Sequence, residues 1–74
     1  MSENTLIDDD FVASVRRDML RFAQLQLRDA AQVEDAVQEA LLAALAGGRS
    51  FAGRSALKTW VFSILRNKIV DLIR

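Results

Sequence analysis

Asp29 to Gly48 reads DAAQVEDAVQEALLAALAGG, and this stretch decides the fold. Asp29 stands three residues ahead of Gln32, the spacing of a capping box that opens a helix. Val33, Ala36, Val37, Ala40, Leu41 and Ala44 follow at helical spacing and make one apolar stripe. The Gly47-Gly48 pair closes the segment, because glycine takes the left-handed C-terminal geometry without a Cβ penalty. The stretch is an amphipathic helix, with one face for a core and one left outward.

The flanks repeat the pattern. Before it, Asp8-Asp9-Asp10 suits a helix N-terminus by capping and by charge. Phe11, Val15, Met19, Phe22 and Ala23 then share a stripe, so a first helix runs to about Arg28. After it, Gly47 to Arg54 reads as a loop, Ser55 as an N-cap, and a third helix continues to Arg74. Leu57, Trp60, Val61, Ile64, Leu65 and Leu72 form its main stripe, widened by Phe62, Ile69 and Ile73. Lys68 points into that stripe, where it must snorkel or pair with Asp71. No proline interrupts any of this. The expected fold is all-α, a compact three-helix bundle over residues 11–74 behind an acidic lead at 1–10. The third helix stops in mid-pattern, without a closing signal, so the sequence reads as a piece of a longer protein.

Composition narrows the function. Seventy-four residues, 51% of them apolar, make one small domain whose core must be shared by its few helices. Cys and His are absent, which excludes disulfide scaffolds, zinc fingers, imidazole bases and thiol nucleophiles. Carboxylates are the only obvious acid–base groups, and Glu34, Asp35 and Glu39 lie on an open helix without a pocket. No catalytic residue, metal ligand or cofactor is therefore expected. The longest apolar run, Ala40 to Ala46, is too short to span a bilayer, and the acidic start is unlike a signal peptide. A cytoplasmic domain is the expectation. Ten basic and ten acidic residues cancel, which argues against a freestanding, salt-driven nucleic-acid binder. The charge is unevenly placed, however. Residues 1–39 hold four Arg against nine acids, and residues 40–74 hold six bases against Asp71 alone.

Two outward faces carry chemistry. At about 100° per residue, Asp35, Gln38, Glu39 and Leu42 fall together opposite the apolar stripe of the second helix. Acids and a carboxamide suit a solvated face, but an apolar residue ringed by acids also fits a docking patch for a basic partner. On the third helix Thr59, Ser63, Arg66, Asn67 and Arg74 share the polar side, with groups that bind phosphates and base edges. Arg49, Arg54 and Lys58 lie near Phe51 and Trp60, and bases interleaved with aromatics suit unpaired nucleotides. A solvated face and a core Trp60 account for the same residues.

Phe51-Ala-Gly53-Arg-Ser55-Ala-Leu-Lys-Thr59-Trp60-Val-Phe-Ser-Ile64-Leu-Arg66-Asn67, followed by Asp71 and Arg74, resembles the F-x-G-x-S…T-W…I…R-N…D…R signature of extracytoplasmic-function sigma factors. Upstream, Glu34-Asp35-Ala-Val-Gln38-Glu39-Ala is similar to the family's E-D-x-V-Q-E segment, in the right order and at the right distance. The first helix fits the family by pattern only.

The resemblance implies sigma region 2, which docks on core RNA polymerase and opens the promoter −10 element. It assigns Asp35, Gln38 and Glu39 to a basic coiled coil of the polymerase β′ subunit, and the helical wheel adds Leu42. It assigns Phe51, Arg54, Ser55, Lys58 and Trp60 to the unwound non-template strand, with Arg66 and Asn67 for adjacent −10 contacts. An anti-sigma factor is a further partner that many family members have. A sigma-mimic that binds an anti-sigma factor without touching DNA is the alternative. Nothing in the sequence resembles the helix-turn-helix region that reads the −35 element.

Overall fold

A computed structural model describes residues 9–47 and 53–74, apart from the side chain of Arg54. Phe51, Arg49 and residues 1–8 of the acidic lead lie outside the described residues. Among these described residues three helices follow one another: α1 (Asp9–Gln26), α2 (Ala30–Gly47) and α3 (Arg54–Ile73). Among the described residues there is no strand.

Each helix start has a local cause. Asp9 and Asp10 occupy the first turn of α1, where carboxylates complement the helix dipole. Asp29 caps α2, its Oδ1 accepting from the backbone N–H of Ala31 at 2.8 Å and of Gln32 at 3.4 Å. The start of α3 differs from the sequence expectation. Ser55 lies inside the helix, and the cap residue is Gly53, which makes no side-chain capping bond. Gly53 has φ 153° and ψ −176°, a backbone region open essentially to glycine alone. The turn into α3 thus depends on the missing Cβ.

The helices close on one core. Val15, Met19 and Ala23 come from α1, with Leu27 just beyond its end; Val33, Ala36, Val37, Ala40 and Ala44 come from α2. From α3, Leu57, Val61, Leu65 and Ile69 run at four-residue spacing as a single seam. Phe22 of α1 meets Phe62 of α3 edge to face, with ring centroids 5.7 Å apart. The contacts Asp18–Lys58 and Phe22–Phe62 advance in the same direction along both helices, so α1 and α3 run parallel and α2 returns between them.

The stripe expected on α3 is partly displaced. Trp60 and Leu72 are exposed, at 37% and 40%, while Ile69 is buried at 3%. A helix packed against only two neighbours buries one side, and Leu57, Val61, Leu65 and Ile69 fill it. Trp60 falls on the flank.

Among the described residues three ion pairs tie the surface, each joining a different pair of helices. Arg16 reaches Glu34 between α1 and α2 at 3.0 Å, and Lys58 reaches Asp18 between α3 and α1 at 3.0 Å. Lys68 reaches Glu39 between α3 and α2 at 2.8 Å. Lys68 therefore pairs across the bundle with Glu39, where the sequence offered snorkelling or a pair with Asp71. Exposed pairs of this kind add little to stability. They mark which helix flanks face each other.

Candidate functional site

The site has two parts on adjacent helices. On α2, the core stripe turns Asp35, Gln38, Glu39 and Leu42 outward, and all four are exposed. Leu42, 59% exposed, closes this polar group one turn beyond Gln38 and Glu39. Glu39 sits at the edge nearest α3 and is not open-handed: Lys68 Nζ lies 2.8 Å from its Oε1. The hydrogen bond and charge of Lys68 hold the Glu39 carboxyl below its ordinary value. The same contact raises Lys68 above its ordinary value. A cation that approaches this face finds Glu39 already shared with Lys68, and Asp35 beside that pair.

On α3, Ser55, Thr59 and Ser63 stand one turn apart and form a hydroxyl ridge along the outward side. A shallow hollow lies on each flank. One is lined by the ridge with Lys58, Phe62 and Arg66, the other by the ridge with Ala56 and Trp60. Basic groups thus sit on one side of the hydroxyls and an indole on the other. That arrangement can seat a nucleic-acid strand, with phosphates toward the cations and a base against the ring. Asn67 is exposed on the same helix but lines neither hollow.

Ser55, Lys58, Trp60 and Arg66 therefore meet on one surface, and Asp35, Gln38, Glu39 and Leu42 on another. The places of Phe51 and of the Arg54 side chain are outside the described residues. The sequence reading put forward neither Asp18 nor Lys68 as part of a site. Asp18 Oδ2 lies 3.0 Å from Lys58 Nζ, and that hydrogen bond and charge hold its carboxyl below the ordinary value, with Arg21 and Arg17 adding smaller pulls. No short-range pattern could have revealed Asp18, because its partner is forty residues away. Among the described residues no cluster of carboxylates could hold a metal ion, and no helix is long and apolar enough to cross a membrane.

Comparison with known proteins agrees with this arrangement of helices. The model of the sigma-70 region 2 family matches residues 11–74. The chain is 48% identical over 69 residues to a probable RNA polymerase sigma factor of Haemophilus influenzae, covering 93% of this chain and 36% of that one. It is 36% identical over 58 residues to the ECF RNA polymerase sigma factor SigX of Bacillus subtilis, covering 78% of this chain and 30% of the relative. The ECF RNA polymerase sigma factor SigC of Mycobacterium tuberculosis is 33% identical over 64 residues, or 86% of this chain and 34% of its own length. The chain thus spans about a third of the length of the curated relatives it matches. No solved structure matches it. The matched residues take in α1 from Phe11 onward and the whole of α2 and α3 with both outward faces, and the chain belongs to the sigma-70 region 2 family.

Proposed function

We propose that the chain acts in the cytoplasm as the region 2 domain of an RNA polymerase sigma factor, docking on core polymerase through α2 and holding the opened −10 element with α3. The observation that carries this reading is the placement of an acidic face with an exposed leucine on α2 beside a hydroxyl, cationic and aromatic face on α3. Its relatives are named as RNA polymerase sigma factors, which supports the same role.

In this reading a basic coiled coil of the β′ subunit meets Asp35 and Glu39, while Leu42 enters an apolar gap and excludes water. Docking exchanges Lys68 for a partner cation at Glu39, so the pair formed is gained at the expense of one already present. Asp35 and the burial of Leu42 then carry the larger part of the affinity, and the charges mainly set register and encounter rate. Strand opening on α3 is capture and involves no bond chemistry. Unpairing a base costs a few kcal/mol, and stacking plus phosphate contacts offset it once the base is out. Ser55, Lys58, Trp60, Arg66 and Asn67 are the candidates for this task, together with Phe51 and Arg54 of the preceding segment.

The test is binding of the chain to an isolated β′ coiled-coil peptide, wild type against Asp35→Lys/Glu39→Lys. The reading predicts binding that disappears in the charge-reversed variant while circular dichroism keeps its helical signal. Lost helix in the variant would make these acids structural, and no binding by the wild type would leave α2 without its proposed partner.

A further inference from the structure

The cations of α3 do not end at the helix boundary. Lys58 leans toward α1 to meet Asp18 at 3.0 Å, and Arg66 lines a second hollow with Phe22 and Gln26 of α1. On α1 itself, Arg17 and Arg21 are exposed, one turn apart, on the side turned away from Val15, Met19 and Ala23. Neither makes an ion pair among the described residues. Both lie close enough to Asp18 to pull on its carboxyl. Arg17, Arg21 and Lys58 thus act on a single carboxylate, Asp18, and Arg66 stands two turns further along α3, in a chain whose total charge is zero.

We propose that Arg17 and Arg21 extend the α3 surface across the α1–α3 seam into one binding site for nucleic-acid phosphates, with Asp18 as its built-in counter-ion. The proposal rests on the assignment of α3 to the DNA strand and enlarges it. In the free chain Asp18 occupies Lys58 and cancels part of the field of the two arginines. A strand running along the hydroxyl ridge places its phosphates toward Lys58 and Arg66, and a few ångströms further they reach α1. A bound strand must take Lys58 from Asp18, so the domain is weak on DNA alone by construction. A protein partner with an acidic surface would use the same arginines, and the test separates the two.

The experiment measures binding of the 74-residue chain to a fluorescent single-stranded oligonucleotide by polarisation, from low to moderate salt, with a melting curve for every variant. Asp18→Asn is expected to tighten binding severalfold, a gain that unfolding cannot produce. Arg17→Gln/Arg21→Gln is expected to weaken binding and to flatten the slope of log K against log salt by about 1.4, roughly 0.7 for each phosphate contact. Lys58→Gln/Arg66→Gln reports separately on α3. If that variant weakens binding while the α1 variants leave affinity and slope unchanged, the α1 extension is overturned, its arginines face a protein or solvent, and the α3 assignment stands. If the wild-type chain fails to bind even at low salt, both are overturned.

Discussion

The outward faces of α2 and α3 each have one charge already engaged inside the molecule, but the two engagements have different consequences. Glu39 on α2 is held by Lys68 of α3, so the contact joins the two proposed working helices to each other. Lys58 on α3 is held by Asp18 of α1, which is no part of the proposed polymerase face. A partner that takes Glu39 therefore releases a cation on α3, whereas a ligand that takes Lys58 disturbs only α1. By linkage any coupling between the two proposed faces is reciprocal, and Lys68, in contact with Glu39, is the residue proposed to carry it.

The largest expected effect would erase the comparison altogether. Leu65 is fully buried in the seam that both faces share. Leu65→Ala should cost about 2–5 kcal/mol, a large part of the stability of so small a domain, measured by urea denaturation. Polymerase and DNA binding should fall together. If only one falls, the faces do not rest on a common core.

A smaller change separates them. Gly53 has a positive φ, and the space around its missing Cβ is open, so Gly53→Ala meets backbone strain with no steric clash. The cost is on the order of 1–3 kcal/mol, placed at the first turn of α3 beside Ser55 and Lys58. Binding of single-stranded DNA should weaken more than binding of the β′ peptide. Equal losses would show that the α3 start is not a separate element.

The smallest effect concerns the Lys68–Glu39 contact. The folded state holds the Glu39 carboxyl below its ordinary value of 4.5, so its contribution is complete above that value and is lost as pH falls through the lowered one. Lys68 is raised above its ordinary 10.5, so its contribution is complete below that and is lost as pH rises through the raised value. Thermal melts of Lys68→Met should show a shallower fall at acid pH than the wild type. Superimposable profiles would mean that the contact does not persist in solution.

Much of this was legible in the sequence, for reasons that differ between helices. On α2 the apolar residues occupy one stripe, so both its buried set and its outward face followed from spacing, and Asp29 was recognisable as a cap from its side-chain chemistry. On α3 apolar residues stand on several sides, and spacing could not separate the seam of Leu57, Val61, Leu65 and Ile69 from exposed Trp60 and Leu72. Only packing against two neighbours selects among them. Ser55 resembled a cap by residue type, yet the turn is made by backbone torsions at Gly53, which a side-chain pattern does not encode. The partners of Lys58 and Lys68 lie on other helices, and local sequence carries no signal for such distant pairs.

The central claim is that one small bundle docks on polymerase by α2 and thereby holds opened DNA on α3. The most direct measurement is retention of a single-stranded −10 oligonucleotide by the chain at physiological salt, with and without core RNA polymerase, for the wild type and for Asp35→Lys/Glu39→Lys. The account predicts that polymerase strengthens retention by the wild type and gives the variant no benefit. Equal retention with and without polymerase, or a variant that gains as much as the wild type, would contradict it.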